Sequence, residues 1–410
     1  VGGMESLLSK LSGLLGSDAV HENTIKFIPP VPDTGVTTSA FWESPFSKFL
    51  IFIGVMWWSH HGTDGGGYII QRMSSAKNER HALLATLWFN LAHYALRVWP
   101  WVIVAVVSIV MFPVIPDSYS ELGVKAGYPL VMNTLLGPGL KGILIVSFLA
   151  AFMSTIDTHL NWASSYIIND IYKRFFKPDE SESHYVLVGK ISTAILMVMA
   201  AFTAMKMQSI SKAWEFIFSM GAGIGLVLIL RWFWWRVNAW SEITALSTSI
   251  IVTLILETIA GIQTIQAGNE YTLFGSAPVL FGISLQIHHK LMIIVPLAVT
   301  AWIAATFFTK PEPNEILTKF YQRVQPGGWW GPISQQIIHT MEPVTHGFIV
   351  QWIAGIMMVY GFTFGIGSLV FTKYSQAVVL LGFAMLGTFL VWNRSISKLN
   401  KTQRTQTTQS

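Results

Sequence analysis

Ala150-Ala-Phe-Met-Ser-Thr-Ile-Asp-Thr-His-Leu-Asn-Trp-Ala-Ser-Ser-Tyr-Ile-Ile-Asn-Asp-Ile-Tyr172 continues the apolar run Gly142–Leu149 and sets a dense row of hydroxyl, amide and carboxylate groups into it. The combined run is long enough to enter a bilayer, where polar groups are expensive and mark substrate or ion pathways. Ser154, Thr158, Asn161 and Ser165 follow one another at intervals of four, three and four residues. That spacing puts them on one helical face. Asp157, three residues beyond Ser154, lies near it. A membrane helix with one oxygen-rich side points to a cation path.

The rest of the chain agrees with a bilayer. Of its 410 residues 52% are hydrophobic and only 11% are charged, against about 25% charged in soluble domains. Hydropathy gives an all-α integral membrane protein of about nine transmembrane helices, near residues 46–71, 82–112, 139–172, 184–206, 210–235, 239–262, 287–309, 347–371 and 376–393. The first span is interrupted by Gly65-Gly66-Gly67, a run that weakens a helix by about 1 kcal/mol per glycine relative to alanine. Such a break survives at membrane depth only where protein or a water-filled cavity satisfies the backbone. The third span is long enough to require tilt or a cytoplasmic extension.

Sixteen of the 26 lysines and arginines fall on one set of alternate loops and nine on the other, with Arg97 inside the second span. The richer side is expected to be cytoplasmic, so the chain runs from outside to inside. Residues 1–45 are then an extracellular loop. Its short amphipathic helix carries Leu7, Leu8, Leu11, Leu14 and Leu15, and lies on the membrane or on the bundle. Residues 236–398 form the C-terminal spans with a cytoplasmic loop at 311–346, and the polar tail 399–410 is expected to be disordered. Trp232, Trp234 and Trp235 mark an interfacial belt, and Trp99 and Trp101 sit inside or near another span end. The chain has no cysteine, which excludes disulfides, thiolate metal sites and cysteine nucleophiles. The net charge of +5 includes no cluster suited to nucleic acid; the lipid bilayer is the partner that composition implies.

A sodium ion needs several hard oxygens. The third span offers the Ser154 and Thr155 hydroxyls and the Ala151 carbonyl one turn earlier, which keeps a lone pair after its helical bond. The competing reading is that these hydroxyls back-bond to the helix or bond to neighbouring helices. Asp157 needs a partner at this depth: a proton, a second cation or an arginine.

Ala150–Tyr172 resembles the signature span of the sodium:solute symporter family. The family's pattern is small-small-x-x-Ser-Ser/Thr, then Leu-Asn-x-x-Ser/Thr, then Asp-Ile-Tyr. Here it appears as Ala150-Ala151, Ser154-Thr155, Leu160-Asn161, Ser164 and Asp170-Ile171-Tyr172. Tyr68-Ile69-Ile70-Gln71-Arg72 with Ala76-Lys77 is a second match. Gly127-Tyr128-Pro129 followed by Gly139-Leu140-Lys141-Gly142 is a third. The resemblance covers residues 46–235 and implies the five-plus-five inverted-repeat transporter fold, those residues being the second repeat and four C-terminal spans following. It implies Na+ as coupling ion and alternating-access symport of a small polar solute. It further implies a cytoplasmic (plasma) membrane location, bacterial by the phrase Leu230–Glu242. The chain opens on Val1, and the expectation is that an N-terminal half of the same protein, absent here, supplies the other wall of the site.

By the same resemblance Ala151, Ser154 and Thr155 match the sodium site, and Asp157 and Thr158 match a second cation site of some members. Asp157 replaces the more usual hydroxyl, which leaves a protonatable or tighter second site and a structural ion pair as alternatives. Tyr68 matches a tyrosine on the cytoplasmic side of the substrate pocket. Gly65, Gly66 and Gly67 stand where sugar carriers tend to have amides, so sugar, polyol, amino acid and organic acid all remain open. Asp64 either touches substrate or caps the second half-helix, capping being the stronger reading. Arg97 meets an anionic substrate or Asp157, or snorkels outward. Asn161 completes the pocket candidates. His60-His61 is a single pair, whereas histidine-box membrane oxygenases need several spaced clusters. Two rival classes are a channel and a membrane enzyme using Asp157 with His159. The latter two side chains point about 200° apart on a helix, which argues against a catalytic dyad.

Overall fold

Eight helices among the described residues are long and apolar enough to cross a membrane in this computed structural model: Glu79–Met111, Pro138–Phe176, Glu182–Lys206, Ile210–Phe233, Ala239–Gln266, Ile287–Phe308, Ile349–Val370 and Tyr374–Val391. They are the second to ninth spans. The first is broken into Pro45–Ser59 and Gly66–Ser74. The structure describes residues 2–16, 27–33, 35–36, 38–207, 209–269, 277–280, 282–324, 326–337 and 348–393; the tail 399–410 lies outside them. Two two-residue strands, Val279–Leu280 and Ile283–Ser284, are the strands among these residues.

The chain divides into two compact units, one of Val1–Gly127, Phe216–Leu256 and Leu280–Ser410, the other of Tyr128–Glu215 and Glu257–Val279. In the first, the helix Gly3–Leu15 buries Leu7 and Leu11 against Trp99 and Val106 of the second span and Phe371 after the eighth. The amphipathic helix therefore packs on protein, and Trp99 is a core residue instead of an interfacial anchor. A second core joins Ile51 of the first span, Ala222 of the fifth, Leu256 of the sixth and Leu291, Ile294 and Val295 of the seventh. The eighth and ninth spans run antiparallel. A Cβ on Gly361 would lie 2.8 Å from the Ala384 backbone nitrogen, and one on Gly387 would lie 2.6 Å from the Ala354 carbonyl oxygen. Small residues let membrane helices approach to backbone contact in this way. Gly361→Val is expected to force the pair apart at a cost of about 1–3 kcal/mol. Gly382→Ala, inside the ninth span with open space around it, should not destabilise and gains up to about 1 kcal/mol in helix propensity. Equal melting of the two variants would refute the contact.

In the second unit the third span is α-helical over Pro138–Tyr166 and continues as a wider π-helical turn over Ile167–Phe176. The 29 α-helical residues measure about 43 Å against a hydrocarbon core of about 30 Å, a length that requires tilt or an extension beyond the membrane. Ser164 donates to the Gly189 carbonyl at 3.0 Å, and a Cβ on Gly189 would sit 2.8 Å from Ile168, which locks the third span to the fourth. Tyr172 meets His184 Nε2 at 2.9 Å, and Tyr185 donates to the Lys177 carbonyl at 2.7 Å. The Asp-Ile-Tyr end of the signature thus fastens a helical hairpin.

Candidate functional site

Two places carry the candidate residues, one in each unit. The first is the polar face of the third span. Its unbroken helix through Tyr166 keeps Ser154, Thr158, Asn161 and Ser165 within about 60° of one another. Ala151, Ser154, Thr155 and Asp157 are exposed on it. Thr155 Oγ1 donates to the Ala151 carbonyl at 2.9 Å, and Thr158 Oγ1 to the Ser154 carbonyl at 2.8 Å. Ser147 does the same to Ile143 at 2.8 Å. This is the back-bonding that satisfies a hydroxyl inside a helix. Ser154 departs from it: its own hydroxyl forms no hydrogen bond among the described residues. One turn of helix therefore presents a free hydroxyl beside an oxygen pair that a rotating Thr155 proton can turn toward one cation.

Asp157 finds an amide. Asn161 Nδ2 donates to its Oδ1 at 3.0 Å, and Asp157 forms no ion pair among the described residues. The second carboxylate oxygen stays available on the exposed face. Arg97 is exposed, directly after the π-helical turn Leu91–Leu96.

The second place is the break in the first span. Helix stops at Ser59, not at the glycines, because His60 turns to extended backbone with φ −89° and ψ 165°. His60 Nδ1 accepts from the Gly62 amide at 2.8 Å, and Thr63 Oγ1 donates to the His60 carbonyl at 2.6 Å. The histidine therefore shapes a turn. Helix resumes at Gly66 after left-handed backbone at Gly65 (φ 94°) and Gly66 (φ 65°), a region costly for L-residues with a Cβ. Gly67 already belongs to the second half-helix, as does Tyr68, whose side chain lies outside the described residues.

Asp64 holds the restart. Its Oδ1 accepts from the Gly66 amide at 3.0 Å, where first-turn N–H groups lack helical partners. Its Oδ2 accepts from Arg231 Nη2 at 2.8 Å, and Arg231 Nη1 donates to Glu242 at 2.9 Å. One guanidinium thus joins the break, the fifth span and the start of the sixth. Asp64 thus bonds the first amide of the second half-helix from one residue before its N-cap, Gly65. Arg231 was legible only as an interfacial charge, since 167 residues separate it from Asp64 and no periodicity links them. A cavity of about 1020 Å³ opens beside the break, lined by Trp57, Thr63, Asp64, Ile70, Trp232 and Trp352 among others. That is the size of a generous small-molecule site.

Asp64 and Arg231 should be energetically coupled. The pair is partly exposed, with side chains 11% and 34% accessible, so a double-mutant cycle of Asp64→Asn and Arg231→Gln is expected to give about 1–2 kcal/mol of coupling. Additivity within about 0.3 kcal/mol would show the contact to be energetically idle.

A model of the sodium:solute symporter family matches residues 6–273, beyond both ends of the signature motifs. Over 166 residues the chain is 26% identical to the osmoregulated proline transporter OpuE of Bacillus subtilis (strain 168), which covers 38% of the chain and 33% of that relative. Over 128 residues it is 30% identical to the high-affinity proline transporter PutP of the same organism, covering 30% of the chain and 26% of the relative. Over 287 residues it is 25% identical to sodium/glucose cotransporter 4 of Danio rerio, covering 64% of the chain and 40% of the relative. The chain spans between a quarter and two fifths of the length of these relatives.

Proposed function

The chain belongs to the sodium:solute symporter family, and from that premise we propose that it couples sodium entry to uptake of a small polar solute across the plasma membrane by alternating access. Ala151, Ser154 and Thr155 hold the sodium ion. Asp157, with Thr158, takes a second cation or a proton. The solute binds beside the broken first span, near Gly65–Tyr68, and residues 46–235 act as the second repeat of the transporter. Broken helices near the midplane are where such carriers bind substrate and ion. No covalent chemistry is involved.

The observation that carries this reading is the free Ser154 hydroxyl next to the Thr155–Ala151 oxygen pair, on an exposed face of a long apolar helix. A helix stabilised only by back-bonding leaves no such group. The Asp64–Arg231 bridge adds a breakable ionic tie at the point where the solute would enter and leave. Reconstituted protein is the test. Proline and glucose, the solutes in its relatives' names, head a panel of sugars, polyols, amino acids and organic acids. An inward sodium gradient should drive accumulation of one of these, saturably, and dissipating the gradient should stop it. Saturable uptake indifferent to sodium would overturn the coupling, and non-saturable flux would favour a channel.

A further inference from the structure

A smaller cavity of about 380 Å³ lies at the end of the fifth and seventh spans, lined by Leu226, Leu230, Trp234, Trp302, Ile303 and Trp329. Every lining group is aliphatic or indole. Trp302 is fully buried, its indole N–H without a hydrogen-bond partner, while Trp329 is 65% and Ile303 36% exposed at the rim. Water gains little in such a space, whose accessible walls are apolar. The polypeptide around it is well held. Trp329 N–H donates to the Phe233 carbonyl at 2.6 Å, and Trp330 Nε1 donates to the Trp232 carbonyl at 3.0 Å. A Cβ on Gly328 would lie 2.6 Å from that same Phe233 oxygen. The cavity is therefore built by backbone pairing, not by loose side chains.

Cations adjoin it. The Trp234 ring packs on Phe307 with centroids 5.7 Å apart, and the Arg236 guanidinium lies 5.4 Å from the Phe307 ring centre. Arg236 Nη2 donates to the Phe307 carbonyl at 3.2 Å, and its Nε is buried without a partner. Lys310 follows three residues later and is exposed. Neither Arg236 nor Lys310 has an acidic partner among the described residues. One acid stands nearby: Glu312 accepts from the Ala239 amide at 3.4 Å, leaving the group with net positive charge.

We propose that this is a binding site for an anionic phospholipid. One acyl chain lies in the cavity against Trp234, Ile303 and Trp329, and the headgroup phosphate is held by Arg236 and Lys310. Apolar walls select a chain over water, and the two cations select an anionic headgroup over a zwitterionic one. Basic pockets beside membrane helices hold anionic headgroups in this way. The lipid would brace the joint between the fifth span, the seventh span and the segment at Gly328–Trp330.

The cysteine-free chain allows a single fluorescent label at Phe308→Cys, an exposed position outside the cavity lining and next to Phe307. In nanodiscs, doxyl-chain phosphatidylglycerol should quench this label more strongly than doxyl-chain phosphatidylcholine. Each cation contributes roughly a five-fold preference, so Arg236→Gln with Lys310→Gln should remove nearly all of a roughly twenty-fold selectivity. Lys310→Gln alone, an exposed change that spares the fold, should remove about five-fold. Lys206→Gln, exposed and outside this unit, should change nothing. Equal quenching by both lipids in the parent, or selectivity that survives the double change, would overturn the proposal.

Discussion

Replacing Ser154 and Thr155 together by alanine is expected to abolish sodium-stimulated uptake while leaving the protein folded. Both side chains sit on an exposed face and make little packing contact. Among the described residues the bond lost is the local one from Thr155 to Ala151, so melting should move little. The loss falls on the ion. Judged from hydrogen bonds to charged groups, each removed oxygen costs about 1.5–3 kcal/mol. Two together weaken sodium binding by roughly a hundred-fold or more. Ser147→Ala is the control, since Ser147 back-bonds to Ile143 on the same helix and has no place in the site. Uptake that keeps its sodium dependence in the double variant would remove these residues from the mechanism.

The second large effect is mechanical. A Cβ on Gly225 would lie 2.1 Å from the Trp58 carbonyl oxygen, 2.6 Å from the Ser59 carbonyl carbon and 2.7 Å from the His60 carbonyl oxygen. All three are backbone atoms and none can swing aside. Two residues earlier, a Cβ on Gly223 would meet Ser249 Oγ at 2.1 Å and Ala298 Cβ at 2.2 Å. The fifth span is therefore pressed against the broken first span on one side and the sixth and seventh on the other. Gly225→Ala is expected to cost about 3 kcal/mol, the upper part of the overpacking range, and Gly225→Leu more. Against a total stability of about 5–15 kcal/mol, the leucine variant should fail to accumulate as folded protein. Gly142→Ala, in open space on the third span, should instead gain up to about 1 kcal/mol in helix propensity. Thermal unfolding in detergent, or yield after size exclusion, separates the signs. A Gly225→Ala protein as stable as the parent would mean the first and fifth spans are not in contact.

The spans were legible because hydropathy over some twenty residues is a local property; all nine sequence segments correspond to helix, the first and the fifth each in two pieces. The oxygen-rich face was legible for the same reason, since helical spacing alone places Ser154, Thr158 and Asn161 together. The glycine run announced a break but misplaced its start. Helix ends six residues earlier, where His60 and Thr63 bond to their own turn, and only Gly65 and Gly66 occupy left-handed backbone within it. Trp99 read as an interfacial residue because indoles favour span ends. Its burial depends on Leu7 and Leu11 arriving from far upstream. Arg231 was hidden for the same reason: its partner Asp64 is distant in sequence, and either charge alone reads as a solvated loop residue. What the sequence conveyed was periodicity; what it withheld was pairing.

The π-helical turn at Leu91–Leu96 governs the angular phase of the second span. Arg97 N–H reaches back five residues to the Ala92 carbonyl at 3.0 Å, so the turn holds one residue more than an α-helix would. Every side chain beyond it is thereby rotated by about 100° relative to an unbroken helix. It is in this rotated frame that Trp99 and Val106 face Leu7, Leu11 and Phe371. With one residue fewer the same sequence would turn both into lipid and leave the N-terminal helix without its seat. Over this stretch the length of the span, counted to the single residue, sets which side of the helix is inside.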